Sequence, residues 1–438
     1  MKTHRRNSQL PVSLYDGRLR INTAAEAEHL HCFPSVVSIE IQSSALNSMN
    51  TKLLSACQHL KWIVVKDYTG ESLDLRFFDD MAALEQFVEV QNPLLRDDTP
   101  TQVTTSNWIL PVHPRITVMT LRGVAPGVDF IDRVSTWNLD HLRFHYVNFD
   151  SSRCQLLSRL AVGLLVLQGC RLPFLPEIGN IGNLQIRYGS VADTLDLNNL
   201  SLSKTRQLAI DLGGVTHFVE LSRQLPSLES LILENLSPDH VPLLDRFPKT
   251  LKKLELWLGS IGNEYLTIIK RMFSLEELFI SSTIAHLDLS ILDGHQHLRK
   301  LFIRAPHVND DLRPPRLPNI EDLSLQRDTG SPMLDHLDLS PLTNSARLIE
   351  LKITDCPAYK IDLSPLSSCK NLRELHLFGN QIEEYNLTPL LHLKSLDLLY
   401  VGNSLMQSPV LFADSRLKDT VESPAIQRLV EDDEIEWR

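Results

Sequence analysis

Apolar residues recur along this chain as a triplet, apolar-x-x-apolar-x-apolar, at a nearly constant step. The clearest copies are Leu228/Leu231/Leu233, Leu251/Leu254/Leu256, Leu275/Leu278/Ile280, Leu298/Leu301/Ile303, Leu348/Leu351/Ile353 and Leu372/Leu375/Leu377. Weaker copies extend the series from Val36/Ile39/Ile41 to Leu396/Leu399/Val401, with a degraded one at Leu84 and Phe87. The sixteen starts lie 24, 24, 32, 23, 23, 19, 24, 23, 23, 24, 23, 22, 28, 24 and 24 residues apart. The last two apolar positions alternate with variable ones, which predicts a short strand with one buried face in every unit. A second pattern lies between strands: LDLSIL from Leu287, LDLSPL from Leu337, IDLSPL from Ile361 and YNLTPL from Tyr385. Ser340, Ser364 and Thr388 suit a helix N-cap, and Pro341, Pro365 and Pro389 suit the first helical position. The short distance to the next strand predicts a turn or two of helix, or a 3₁₀ turn.

These features resemble the leucine-rich repeat (LRR) superfamily. Its consensus L-x-x-L-x-L-x-x-N/C is met by Leu372, Leu375, Leu377 and Asn380, and cysteine fills the last position at Cys170 and Cys356. The LDLSPL spacers are similar to prokaryotic repeats of this kind. Gly259, Thr283, Pro306 and Asp328 stand where the consensus has asparagine. The resemblance, over Val36 to Asn403, implies an α/β fold: a leucine-rich repeat solenoid (horseshoe) of about 16 repeats. It would carry a concave parallel β-sheet and short helical or 3₁₀ convex segments. Stacked units make one continuous apolar column that no single unit could bury. Residues 1–35 are expected as an N-terminal cap or irregular segment, with Leu19 and Ile21 on an irregular first strand. The solenoid is expected over 36–403, and a C-terminal cap and acidic tail over 404–438, with a helix starting at Ser423-Pro424. The 32-residue step predicts an inserted loop near 92–111, and the 28-residue step a smaller one at Asp328–Pro332.

Composition narrows the picture. Leucine fills 78 of 438 positions, and 43% of the chain is hydrophobic, which excludes intrinsic disorder. No apolar run approaches the roughly 18 residues of a membrane span. Six dispersed cysteines, and an N-terminus without the apolar segment of a secretion signal, point to a reducing, cytoplasmic setting. The formal charge of −11 argues against nucleic acid as the main ligand. Motifs for nucleophilic, phosphate-binding or metallopeptidase chemistry do not occur. Gly259-Ser260-Ile261-Gly262 has the wrong spacing for a phosphate loop. His29/His31 and the group His295, His297 and His307 read as polar surface. No catalytic, cofactor or metal residue is assigned.

The variable positions of the strands are more informative. Offsets +2, +4 and +6 from the first apolar residue point away from the core. They carry a basic set, Arg122, His141, Arg143, His145 and Arg187. They also carry an aromatic set with mixed charge: Trp257, Glu277, Phe279, Lys300, Phe302 and Arg304. Phe279 and Phe302 share one offset in adjacent repeats and should stand about 5 Å apart. The expected function is a non-enzymatic protein–protein interaction scaffold holding an unidentified protein partner on the concave face, off the membrane. A second reading is a substrate-recognition adaptor of a ubiquitin-ligase (F-box-like) complex, for which Leu10-Pro11 is the only signature. A third is an enzyme with a site in the 92–111 insertion.

Overall fold

The computed structural model describes residues 13–15, 18–57, 59–70, 72–81, 86–92, 103–105, 108–112, 115–174, 176, 178, 180–187, 191–192, 204–213, 225–245, 247–282, 284–305, 307–308, 313–327, 333–402 and 409–438. The chain divides into two compact units, Met1–Ser227 and Leu228–Arg438.

In the first unit, β1 (Ser13–Tyr15) turns back antiparallel on β2 (Arg18–Ile21). Pairing is parallel thereafter, through β3 (Ser38–Gln42), β4 (Trp62–Lys66), β5 (Gln86–Gln91), β6 (Ile116–Arg122), β7 (His141–His145), β8 (Ala161–Gln168), β9 (Asn180–Arg187) and β10 (Gln207–Asp211). The second unit runs parallel through β11 (Ser230–Leu236), β12 (Lys253–Ile261), β13 (Glu277–Ser281), β14 (Lys300–Arg304), β15 (Asp322–Gln326), β16 (Glu350–Thr354), β17 (Glu374–Phe378) and β18 (Leu398–Gly402). The fold is the leucine-rich repeat, because register is kept from strand to strand. In the second unit Leu231, Leu254, Leu278, Leu301, Leu323, Leu351 and Leu375 pair in sequence, each at most 2% exposed. Leu19 and Ile21 are also fully buried and pair with Ile39 and Ile41.

One expected copy is displaced. Leu84 lies outside the described residues, and the copy runs one residue later than expected, with Val88 and Val90 paired to Met119 and Leu121. Val88 and Val90, not Phe87, take the core positions, and Phe87 stands beside Trp62 on the opposite face. The bulge belongs to β6: Gln86 pairs with Ile116 and Phe87 with Val118, so Thr117 is the extra residue and the alternation from Phe87 to Gln91 is regular.

Among the described residues, seven coils leave their strands through the same bend. At offset +7 the backbone is left-handed at Asp67, Gly123, Tyr146 and Gly169 in the first unit, and at Asn235, Asp355 and Gly379 in the second. Gly, Asn and Asp adopt this conformation at little cost, whereas Tyr146 pays for it. One residue later, the fully buried Asn380 amide closes the turn. Its Nδ2 donates to the carbonyls of Ile353 (2.8 Å) and Leu377 (3.1 Å), and its Oδ1 accepts from the Cys356 amide at 2.9 Å. Cys356 and Cys170 fill the same position and donate Sγ–H to backbone carbonyls. Gly259 departs from the consensus because β12 continues past it, pairing Gly259 with Leu236. A Cβ there would meet the Leu236 carbonyl and amide.

The outer layer is short, and its capping differs from expectation. Ser340, Ser364 and Thr388 are the first residues of 3₁₀ turns, not their caps. The capping acceptor lies two residues upstream: Asp338, Asp362 and Asn386 take the backbone N–H of Ser340 (2.9 Å), Ser364 (2.9 Å) and Thr388 (3.1 Å). This Asx turn reaches the free amide before the serine can cap an α-helix. At the C-terminal end, Pro424–Glu431 is a helix whose Ser423 hydroxyl accepts from Ile426, followed by a strand Ile435–Trp437 on the outer layer.

The described part of the 92–111 insertion is tied into the core. Val103–Thr104 pairs with Val124–Ala125, and Trp108–Ile109 with Leu73–Asp74. Trp108 Nε1 donates 2.7 Å to the hydroxyl of fully buried Tyr68, which donates in turn to the Thr104 carbonyl at 3.2 Å. The Asp328–Pro332 insertion lies outside the described residues.

Two stability outcomes follow, both read by urea denaturation. Asn380→Leu strands an amide and two carbonyls and should cost about 2–4 kcal/mol. Gly259→Ala forces β11 and β12 apart, and should cost more than Ala at an exposed strand position, where about 0.5 kcal/mol is the ordinary scale.

Candidate binding face

The second unit brings its aromatic set together. Trp257, Phe279 and Phe302 form one continuous stack across β12, β13 and β14. Ring centroids are 4.2 Å apart in both pairs, with Phe279 and Phe302 coplanar to 1° and Trp257 inclined by 28°. In-register parallel strands place like offsets side by side, and Trp257 reaches Phe279 diagonally because its own register partner is the small Ser281. The indole is steered by Glu255, whose Oε2 accepts from Nε1 at 2.9 Å. All three rings are half-buried, since each covers a face of the next and leaves an edge open.

Charged residues flank the stack at offset +2. Lys253 pairs with Glu255 at 2.8 Å, and Lys300 lies 3.3 Å from Glu277 and 3.9 Å from Asp322. Lys352 is in contact with Glu350. Arg304 is exposed at the rim, beyond the ring of Phe302. Along this charged row runs an open groove of about 320 Å³, with Phe279, Phe302 and Ser324 on its floor. Burial, then the neighbouring Glu350 and Glu321, raise the Asp322 carboxyl above its ordinary value against the pull of Lys300 and Lys352. The Glu255 carboxylate in turn raises the Lys253 ammonium.

The basic set of the first unit is more dispersed. Arg122 and His145 are register partners, and Arg143 lies two residues from both His141 and His145 on β7. Arg187 is two strands from His145, with Gln168 between them. His145 contributes no full charge: burial, then Arg122 and Arg143, lower its pKa against the pull of Glu89. Arg122 lies over the ring of Tyr146, 5.3 Å from its centroid. The sequence reading missed the Trp62–Phe87 stack at 4.9 Å on this face, because a copy starting at Leu84 assigns Phe87 to the core. It also missed His376 and Tyr400 as a stacked pair at 4.9 Å, although both sit at offset +4.

Among the described residues, Glu350, Glu374 and His376 place three ligating atoms within 4.8 Å of one another, the one group able to hold a metal ion. Lys352 on Glu350 and the 3.3 Å contact of His376 with Glu374 already engage that group internally. His295 corrects the surface reading: it is buried, with Nε2 at 3.2 Å from the Met272 carbonyl and Nδ1 accepting from Leu298. The His31 ring is held by the Glu28 carbonyl and the Cys32 thiol. Leu10-Pro11 lies outside the described residues, and no helix among those residues is long and apolar enough to cross a membrane.

No family model and no curated protein sequence matches the chain. Solved structures similar to it include a TLR13–ssRNA13 complex (13% identity, 90% of this chain and 79% of that one, TM-score 0.43). An internalin from Listeria monocytogenes is 16% identical, with 89% and 88% covered and a TM-score of 0.35. An LRR protein of Leptospira interrogans is 15% identical, with 80% and 86% covered and a TM-score of 0.40. At these identities the fold rests on the chain's own ladders.

The pH response has a definite sign. His145, His240 and His295 all have pKa values lowered chiefly by burial. The unfolded chain, with histidine near 6.5, therefore binds protons first as pH falls. Stability is full above about pH 6.5 and is lost progressively toward the lowered values. Thermal midpoints across pH 7.5 to 5 should fall, and Arg143→Gln should raise the His145 value in an NMR titration. Asp322 has the opposite sign: its raised pKa means that charge at neutral pH opposes folding, so Asp322→Asn should keep or raise the thermal midpoint.

Proposed function

We propose that this leucine-rich repeat chain is a non-enzymatic scaffold that holds a protein partner on the open, concave face of its sheet, with Trp257, Phe279 and Phe302 as the anchors. The observation that carries this reading is the half-exposed aromatic stack, 4.2 Å from ring to ring, whose Phe279 and Phe302 line a groove edged by a charged row. Aromatic residues ringed by polar groups are where interfaces concentrate their binding energy, because the rings bury large areas while losing little side-chain freedom. Glu277, Lys300 and Arg304 form the polar rim and set orientation rather than affinity. The basic set, Arg122, His141, Arg143, His145 and Arg187, is a secondary contact surface, weakened by the neutral His145.

The balance of −11 supports a protein partner over nucleic acid. A reducing, cytoplasmic site of action belongs to the same proposal, supported by six cysteines held as thiols. Burial pushes Cys170 and Cys356 up to about 12, so these ladder thiols stay protonated and serve packing.

Affinity capture of the full chain from native extract tests the reading. The triple variant Trp257→Ala, Phe279→Ala, Phe302→Ala should lose captured partners by about thirtyfold or more, the scale of a hot-spot anchor. The control Arg122→Gln, Arg187→Gln should lose far less. Intact capture by the triple variant would show that these rings are not the anchors.

A further inference from the structure

The floor of the groove is interrupted at one place. Phe302 presents one ring face to Phe279, coplanar to 1°. On its other side the register partner is Ser324, whose own next partner is Lys352. A serine side chain is too short to cover a phenyl ring, so the second face of Phe302 opens into a hollow. Neighbouring strands lie about 4.8 Å apart, so the hollow is wide enough for one planar group laid against the ring.

The wall of this hollow is acidic. Asp322 and Glu350 are register partners at offset +2, and Glu374 follows Glu350 on the next strand. Two lysines serve four carboxylates here: Lys300 lies 3.3 Å from Glu277 and 3.9 Å from Asp322, Lys352 is on Glu350, and Glu374 has the His376 ring at 3.3 Å. The carboxylates therefore outnumber the lysines, and Asp322, which shares Lys300 with Glu277, lies beside the open ring face.

We infer that the Ser324 hollow receives an arginine side chain of an extended partner segment, its guanidinium flat on Phe302 and hydrogen-bonded to Asp322. The inference rests on the concave-face reading above and names the chemistry of that docking. Charge complementarity selects a cation, and the ring beside a carboxylate selects the planar, forked guanidinium over an ammonium. Only arginine can stack on the ring and present two parallel N–H donors to one carboxylate.

Saturation-transfer NMR on the full chain supplies the test, with the peptides acetyl-Gly-Arg-Gly-amide, its Lys analogue and its Glu analogue as probes. The arginine peptide should bind with saturation near its δ-methylene, about threefold or more tighter than the lysine peptide, and the glutamate peptide should not bind. Asp322→Asn should weaken the arginine peptide about fivefold. Ser324→Leu, which fills the hollow from an open strand position, should abolish binding. Far-UV circular dichroism confirms that both variants fold. Equal binding of the glutamate peptide, or binding indifferent to both Asp322→Asn and Ser324→Leu, would overturn the inference. If capture of a partner depends on the three rings while the arginine peptide fails, the docking face stands and the arginine chemistry is wrong. Failure of ring-dependent capture would instead remove the reading beneath it.

Discussion

Parallel pairing without slip is the constraint on which each unit depends. A side chain's face alternates at every residue, so a one-residue slip would turn a whole row of leucines toward solvent. Burial of Leu254, Leu278, Leu301 and their row neighbours is therefore what fixes the register, each truncation costing about 2–5 kcal/mol. In seven coils a left-handed bend at offset +7 turns the chain out of the strand, and at Asn380 a buried amide closes that turn.

That same constraint builds the outward face. When leucines align in rows, the residues between them align too, so two phenylalanines 23 positions apart become coplanar neighbours. Rows of one charge are the cost: Asp322 beside Glu350 and Glu374 is a repulsive arrangement that folding tolerates because the leucine rows beneath outweigh it. Tyr146, left-handed where glycine or asparagine would be unstrained, is a second local cost on the outward side.

Strand positions are legible in the sequence because the triplet spacing and the alternation report the same thing. The stack of Phe279 and Phe302 is legible for the same reason, since offset alone determines adjacency in parallel strands. Phe87 is not, because it and Val88 are adjacent apolar residues in a degraded copy, and spacing alone does not tell which of them faces the core. The capping of the outer turns is misread because Ser-Pro imitates an α-helix start while the neighbouring aspartate reaches the amide first. Nor does local pattern reveal that the insertion is tied to the core, since Trp108 bonds to Tyr68 across 40 residues. His295 looks like surface until its coil packs against Met272.

The central claim is that partners bind on the face that carries the aromatic groove. Site-specific photo-crosslinking tests it most directly, with benzoylphenylalanine placed at Ser324 in the groove or at Phe273, which is 69% exposed and lies off the strands. The account expects a discrete covalent adduct with a protein in native extract from position 324 and none from position 273. Adducts confined to position 273, with the groove position silent in a folded chain, would contradict it.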